Sequence, residues 1–379
     1  MTASPKSKET VNPYPMIAPR FWHGMTSSVW WSMLARNRFR ISPSKLHMAI
    51  IICFVTPIID VLALIQYLIH GRRIRQTKLA GPPIFVLGHW RSGTTLMHEL
   101  LHLDDQFTSP STYQCFAPRH FLLTEPWMIR FGNFLLPEKR PMDNMKVGWQ
   151  LPQEDEFALL ILGAPTPYFR VAFPNNPVPH MDSLGAKTFD STKLEQWKRS
   201  VDWFFRALSY HTPKPLIIKS PPHTGRLGVL AEMYPDAKFI HMIRDPRKLY
   251  PSTMKLWRVL DEVQSLQAKT DPDLLHRFVI ESLHRMYDSF EIDRQKIASD
   301  RVIDVHYEDL VAQPIETMKQ IYSQFQIGDF APIAKKIDER QTVEKDYKTN
   351  QLGLDVETEK MVLREWHDYA KKYGYLDGK

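Results

Sequence analysis

The chain has 379 residues, 43% of them hydrophobic and 12% aromatic, and its formal net charge at pH 7 is +7. This composition is typical of a folded globular protein with a large core, and it excludes a disordered or collagen-like chain. The positive charge favours anionic ligands, but the basic residues form no stripe, so nucleic acid is not an expected partner. Two cysteines cannot build a disulfide framework, and no Cys/His spacing is typical of a zinc site. We therefore expect no metal.

The N-terminal part of the sequence is proline-rich at first and then hydrophobic. Residues 1–20 contain no apolar run, so no cleavable signal peptide is expected, and the predicted location is cytoplasmic or peripheral to a membrane. Residues 46–70 are long and apolar enough to span a bilayer, but Pro57 and Asp60 lie near the middle. Basic residues flank both ends, so there is no positive-inside bias. A packed helical extension, a hairpin lying in the membrane interface and a true span all remain open.

From Ile84 onward, short runs rich in strand-forming residues alternate with helical patterns. The pattern predicts an α/β fold with a P-loop-like, mostly parallel sheet and helices on both faces, preceded by the hydrophobic helical extension. We divide the chain into an extension, residues 1–80, and a catalytic domain, residues 81–379. The predicted strands are 84–88, 216–220, 238–243 and 301–307. The predicted helices begin after Thr94 and cover 195–207, 226–233, 246–263, 272–297, 314–326 and 355–373.

The proline-rich and aromatic region 108–190 predicts irregular excursions above the sheet, where long loops usually shape a substrate site.

The stretch "PIFVLGHWRSGTTL", residues 83–96, predicts a buried strand, a turn and a helix. Gly88 and Gly93 keep the glycine spacing of a Walker loop, but Thr94 occupies the lysine position, and the cation has moved to Arg91. The helix N-terminus, the hydroxyls of this loop and Arg91 together predict an anion site. Without the lysine, ATP or GTP hydrolysis is not expected.

A second strand, turn and helix is predicted in "KFIHMIRDPRKLYPSTMKLW", residues 238–257. Asp245 is a good helix N-cap and is followed by Pro246 at the first helical position. Arg244 lies at the carboxyl end of the strand, where open α/β sheets bind ligands, and Ser252 follows it by two helical turns. Two anion sites at separate strand ends predict a nucleotide with phosphates on both sides of its ribose.

These two stretches resemble the motifs of sulfotransferases that use 3′-phosphoadenosine 5′-phosphosulfate (PAPS). "GHWRSGTTL" is similar to the family's 5′-phosphosulfate loop and "IRDPRKLYPS" to its 3′-phosphate motif. The resemblance covers about residues 83–330 and is closest to the bacterial-type branch that includes tyrosylprotein sulfotransferases. It implies that the cofactor-binding residues are Arg91, Ser92, Gly93, Thr94, Thr95, Arg244, Ser252 and Tyr307.

The resemblance is incomplete at the 3′-phosphate. The family often has a second basic residue one turn after the serine, where this chain has Leu256. Lys255, or Lys348 in the later "DYKTNQ" segment, is the candidate replacement.

The general base is harder to assign from the sequence. Related enzymes place a glutamate about 20 residues past the loop, where this chain has Gln114, which cannot accept a proton. By resemblance to a Pro-x-Glu element, Glu154 in "LPQEDEFALL" is the preferred base, although Asp155, Glu156 and Glu154 itself are also suited to capping a helix. Lys219 resembles the family's lysine that neutralises the transferring sulfonate. His223 is the alternative base, or a structural histidine.

The resemblance predicts an enzyme that transfers a sulfonate from PAPS to a hydroxyl or amine acceptor, in line and without a metal. The acceptor is a small molecule, a lipid or a peptide, and the aromatic region hints at an apolar or membrane-derived alcohol. Two alternatives remain at this point: a P-loop kinase-like enzyme with a displaced cation, and a non-catalytic, membrane-associated nucleotide binder.

Overall fold

The computed structural model describes residues 14–15, 18–141, 145–343 and 353–376. In chain order its helices and strands are α1 (Ser27–Arg36), α2 (Leu46–Gln76), β1 (Ile84–Leu87), α3 (Thr94–Leu101), α4 (Thr112–Phe116), α5 (Phe121–Phe131), α6 (Asp155–Leu162), α7 (Ser191–His211), β2 (Ile217–Lys219), α8 (Leu227–Met233), β3 (Lys238–Ile243), α9 (Pro246–Gln264), α10 (Pro272–Asp293), β4 (Val302–His306), α11 (Tyr307–Ala312), α12 (Pro314–Phe325), α13 (Ala331–Val343), α14 (Val356–Glu365) and α15 (His367–Lys372).

The four strands form a parallel sheet in the order β2-β1-β3-β4. Successive side chains of a strand point to opposite faces, and here they enter different hydrophobic clusters. Phe85 and Leu87 pack with the helices on one face, including α7 and α10, whereas Ile84 and Val86 pack with α3, α12 and α13 on the other. Both faces are therefore covered, which explains why these strands are continuously apolar. The predicted α/β fold with helices on both faces is confirmed.

All four predicted strands are present, but three predicted segments differ from the structure. The region 108–190 is not simply irregular, because it contains α4, α5 and α6. The helix predicted for 226–233 is preceded by a 3-10 helix, Pro221–Arg226, since consecutive prolines lack the N–H groups of an α-helical turn. The helix predicted for 272–297 ends at Asp293, where a 3-10 turn follows.

The N-terminal extension packs on the sheet domain through one face of α2. Asp60, near the middle of α2, accepts a hydrogen bond from the N–H of Ser27 at 3.0 Å and so satisfies the first turn of α1. The buried Gln66 side chain accepts from the N–H of Leu122 and donates to the carbonyl of Pro118. The polar groups of the hydrophobic segment thus have protein partners.

The opposite face of α2 carries many exposed apolar side chains. Among the residues that the structure describes, one helix, Pro43–Gln76, is long and apolar enough to cross a membrane. Phe54 and Leu68 on this helix are 75% and 71% exposed. The exposed large apolar residues of α2 are Leu46, Ile50, Ile51, Phe54, Ile58, Val61, Leu64, Ile65, Tyr67, Leu68 and Ile69. We call this set the apolar face of α2.

Candidate functional site

The predicted site residues converge at the carboxyl edge of the sheet. Lys219 is the last residue of β2, the loop with Arg91 follows β1, Arg244 follows β3 and Tyr307 follows β4. Parallel strands end at the same edge, so the topology itself assembles residues that are far apart in sequence.

The loop after β1, residues 88–93, has a backbone that requires glycine at both ends. Gly88 has a φ of 130° and Gly93 a φ of 100°, and a Cβ on Gly93 would lie 2.4 Å from Cδ2 of Tyr307. Gly93 is also the N-cap of α3 and brings the backbone close to the aromatic ring. Arg91 has a left-handed φ of 71°, which is costly for a non-glycine residue and typical of ligand-binding loops.

Polar groups of the loop are buried and suited to binding an anion. Ser92 is fully buried, and its hydroxyl has no hydrogen-bond partner among the described residues. The first N–H groups of α3, beginning at Thr94, have no partner within the helix and carry partial positive charge. An anion at this helix terminus would satisfy both features.

The second anion site is in direct contact with the loop. A guanidinium nitrogen of Arg244 donates to the carbonyl of Arg91 at 2.7 Å, and the Arg244 guanidinium lies 4.2 Å from the centre of the Tyr307 ring. Nε of Arg91 in turn donates to the hydroxyl of Ser252 at 2.9 Å. The hydroxyl of Tyr369 accepts a hydrogen bond from the main-chain N–H of Arg244 and donates one to its carbonyl. The two predicted anion sites are therefore one connected surface.

Arg244 is partly desolvated at this surface. Burial lowers the pKa of its guanidinium, although the group remains charged at neutral pH. Its Nε is buried and has no hydrogen-bond partner among the described residues. A phosphate would supply that partner. Leu256, in place of the second basic residue, lines the cavity next to Glu154. Among the described residues, no hydrogen bond or ion pair holds Lys255, and Lys348 lies outside the described residues.

Glu154 lies at the N-cap of α6 and has two strong hydrogen-bond partners. Lys219 Nζ donates to Oε1 at 2.7 Å, and the hydroxyl of Tyr168 donates to Oε2 at 2.6 Å. Burial lowers the pKa of Lys219, whereas the neighbouring Glu154 carboxylate acts in the opposite direction. This arrangement places a carboxylate and a lysine together beside the loop after β1.

The carboxylates that follow Glu154 have structural partners instead. Asp155 and His223 are both fully buried, with 2.9 Å between Oδ2 and Nε2, and burial raises the pKa of Asp155. Glu156 accepts two hydrogen bonds from Arg226, at 2.9 and 3.1 Å. Burial raises the pKa of Glu156, but Arg226, His223 and Thr166 together outweigh the effect of burial and lower the pKa overall. Of the three adjacent carboxylates, Glu154 is the one that lines the cavity.

The cavity next to Glu154 is largely apolar and aromatic. Its wall near the loop after β1 contains Trp90, Thr95 and Glu154. Its lining also includes Tyr168 and Trp257, together with Phe21 from the N-terminal extension. The cavity thus offers an apolar molecule a route to a carboxylate that adjoins the anion site.

Comparisons with known proteins identify the family of this chain. The model of the Sulfotransferase family matches residues 82–331. The omega-hydroxy-beta-dihydromenaquinone-9 sulfotransferases Stf3 of Mycobacterium bovis and Mycobacterium tuberculosis are each 38% identical over 358 residues, which are 94% of this chain and 92% of theirs. The chain belongs to the sulfotransferase family. It is a sulfotransferase, an enzyme that transfers a sulfonate group to an acceptor.

Two solved sulfotransferases share the fold. STF9 of Mycobacterium avium gives a TM-score of 0.62 at 18% identity, covering 92% of this chain and 96% of that one. STF1 of Mycobacterium tuberculosis gives 0.60 at 18% identity, covering 90% of both chains. The prediction of a sulfotransferase is confirmed, and the kinase-like and non-catalytic alternatives are wrong.

Two residues of this site, Trp90 and Tyr168, could not be predicted from the sequence. They join the loop after β1 to Glu154, yet 78 positions separate Trp90 from Tyr168, and no spacing connects the two. Gln114, at the position where a glutamate was sought, has a local role: with Ser111 it forms the capping box of α4.

Among the described residues, no group of three or more His, Cys, Asp and Glu side chains is placed to hold a metal ion.

We expect the substitution Gly93→Ala to weaken binding of adenosine 3′,5′-bisphosphate by at least about tenfold. The new Cβ would displace Tyr307, and alanine at a left-handed φ costs about 1 kcal/mol or more. Isothermal titration calorimetry measures the affinity. The control is Gly353→Ala, since a Cβ there meets nothing within 4 Å. Equal affinities of the two variants would contradict the assignment of this loop.

Proposed function

We propose that this enzyme binds PAPS across the carboxyl ends of β1 and β3 and transfers its sulfonate to the hydroxyl of an amphiphilic lipid. The observation that carries the proposal is the position of Glu154. It lines an aromatic cavity, it contacts Lys219, and through Tyr168 and Trp90 it adjoins the anion-binding loop.

The residues of the connected anion surface fit the two ends of the donor. We assign the 5′-phosphosulfate to Arg91, Ser92, Gly93, Thr94 and Thr95, and the 3′-phosphate to Arg244 and Ser252. The loop after β1, residues 88–93, is called the donor loop from here on. The unpartnered hydroxyl of Ser92 and the unpartnered Nε of Arg244 support this fit, because buried polar groups are normally hydrogen-bonded. Tyr307, against the Arg244 guanidinium, is assigned as a further contact with the nucleotide. Lys348 stays a prediction.

The proposed chemistry gives separate roles to Glu154, Arg91, Lys219 and His223. Glu154 removes the proton from the acceptor hydroxyl, and the acceptor oxygen forms a bond to sulfur while the bond between sulfur and the 5′-phosphate oxygen breaks. The products are a sulfate ester and adenosine 3′,5′-bisphosphate, which carries away the bonding electron pair. Arg91 and Lys219 neutralise the negative charge on the transferring group and the leaving phosphate. His223, buried against Asp155, is assigned a structural role.

The acceptor cavity favours an apolar molecule with a terminal hydroxyl. Aromatic walls such as Phe157 and Trp257 provide apolar contact area, and Glu154 is a polar group that can select a hydroxyl. The named substrate of the two mycobacterial relatives is a hydroxylated dihydromenaquinone, which has this chemistry. An isoprenoid lipid alcohol of the same class is the acceptor that we propose here.

Such an acceptor resides in a membrane, and the N-terminal extension is suited to reach it. The apolar face of α2 lies between exposed basic residues, which attract anionic lipids: Arg36, Arg38 and Arg40 before it, and Arg72, Arg73 and Arg75 after it. The other face packs on the domain along much of α2, so we propose that the helix lies in the interface of a cytoplasmic membrane surface rather than crossing it. Residues 1–80 are then a membrane-docking extension of a catalytic domain formed by residues 81–379.

The donor assignment is tested by titrating the protein with adenosine 3′,5′-bisphosphate and with ATP, both without added metal. We expect binding of the bisphosphate to exceed binding of ATP by about 100-fold or more, because ATP lacks the 3′-phosphate. Arg91→Ala should abolish sulfonate transfer, since the loop then has no cation. Tight binding of ATP alone, or full activity of Arg91→Ala, would contradict the donor site.

Glu154→Gln should reduce kcat for sulfonate transfer by about 10²- to 10⁴-fold, because glutamine cannot accept the proton. The affinity for adenosine 3′,5′-bisphosphate should remain close to that of the wild type. Transfer of radioactive sulfonate to ω-hydroxy-β-dihydromenaquinone-9 measures the rate. The matched control is Glu339→Gln, a substitution on the exposed surface of α13. A Glu154→Gln enzyme as active as this control would remove Glu154 as the base.

Membrane docking is tested by flotation with vesicles of phosphatidylcholine and phosphatidylglycerol. We expect the wild type to float with the vesicles and the double variant Phe54→Glu/Leu68→Glu to remain behind, because each charge would enter the apolar interface. The control, Val311→Glu/Val356→Glu, changes two exposed apolar residues elsewhere and should float normally. Equal flotation of the two double variants would contradict docking through α2.

A further inference from the structure

Both oxygens of the Glu154 carboxylate are held in place. Lys219 holds Oε1, whereas Oε2 accepts a hydrogen bond from the hydroxyl of Tyr168 at 2.6 Å. Tyr168 is buried and comes from the 3-10 helix Pro167–Val171. A general base needs a fixed direction toward its proton, and two donors restrict the carboxylate more than one.

The direction of the Tyr168 hydroxyl is set by Trp90. The indole Nε1 of Trp90 donates to the Tyr168 oxygen at 2.8 Å. A tyrosine hydroxyl has one proton, so with its oxygen acting as acceptor for Trp90 it gives that proton to Glu154. Burial, followed by the nearby Glu154 carboxylate, raises the pKa of Tyr168 well above its usual value. The residue is thus a hydrogen-bond donor at neutral pH and not a base.

Trp90 belongs to the donor loop and is itself rigidly held. Its carbonyl accepts a hydrogen bond from the hydroxyl of Thr253 at 3.0 Å, on the helix that also carries Ser252. The Trp90 ring meets the Trp257 ring edge to face with 5.0 Å between centroids. Tyr168 packs on the Trp257 ring as well, with 5.5 Å between centroids. The contact chain from donor loop to base therefore runs through packed aromatic rings.

We propose that Tyr168 is a positioning residue that holds Glu154 toward the acceptor cavity, and that Trp90 couples this position to the donor loop. The proposal rests on the proposed function, in which Glu154 is the base. Tyr168 then acts through Glu154 alone, which distinguishes it from a residue that merely supports the fold.

A double-mutant cycle tests this dependence. Tyr168→Phe should reduce kcat about tenfold in the wild-type background, with little change in KM, and should move the acid limb of the kcat profile to higher pH. In the Glu154→Gln background the same change should reduce kcat less than about twofold, since the group that it positions is gone. The assay follows sulfonate transfer from PAPS to ω-hydroxy-β-dihydromenaquinone-9.

The matched control is Tyr322→Phe, because Tyr322 is also buried and donates to a carboxylate, Asp104, at 2.7 Å, on the other face of the sheet. It should lower the melting temperature but leave kcat unchanged in both backgrounds. Trp90→Phe is the second test variant. In the wild-type background it should reduce kcat by less than Tyr168→Phe does, and in the Glu154→Gln background this reduction should also disappear.

The possible outcomes separate the two hypotheses. If Tyr168→Phe reduced kcat by the same factor in the wild-type and Glu154→Gln backgrounds, the positioning role would be overturned and the proposed function would remain intact. A wild-type enzyme that transfers no sulfonate to ω-hydroxy-β-dihydromenaquinone-9 would contradict the proposed acceptor and, with it, this inference. Loss of adenosine 3′,5′-bisphosphate binding in Tyr168→Phe would indicate a structural defect and would also overturn the proposal.

Discussion

The parallel direction of all four strands is the constraint on which this site depends. Because β1, β2, β3 and β4 end at one edge, the loop with Arg91, the side chain of Lys219 and the guanidinium of Arg244 meet there without any local sequence relation. The contacts between Arg91, Arg244 and Ser252 then join the two anion sites into one surface. A nucleotide with phosphates at both ends of its ribose suits this surface better than a triphosphate.

A buried ionic network keeps Glu154, the proposed base, in register with that edge. Glu156 and Arg226 are fully buried, and Ser183, Ser220 and Thr166 satisfy most of their remaining polar atoms. Removing one partner of such a pair typically costs about 3–5 kcal/mol, because the other charge stays buried. The network ties the first turn of α6 to the segment after β2. It therefore fixes the distance between Glu154, at the start of α6, and Lys219, at the end of β2.

The sequence allowed the strands and the turn between β1 and α3 to be predicted, because their signals are local. An apolar run followed by Gly88, Arg91 and Gly93 contains its own evidence for a strand and a turn, and it predicts an anion site. The relation between Trp90, Tyr168 and Glu154 could not be predicted, since it arises only when distant segments pack together. The short helices α4 and α5 were missed for a related reason: their ends depend on caps and tertiary contacts rather than on a long periodic pattern.

The N-terminal extension is joined to the wall of the cavity next to Glu154. The N–H of Phe21 donates to the side chain of Gln264, and the Trp22 indole donates to the carbonyl of the same residue, which ends α9. Phe21 and Gln264 both line the acceptor cavity, and α9 also carries Ser252. The 3-10 helix Phe21–Gly24 before α1, the cavity wall and α9 are thus joined at one point. A lipid entering from the surface on which α2 lies would therefore meet residues that are already fixed to the donor site.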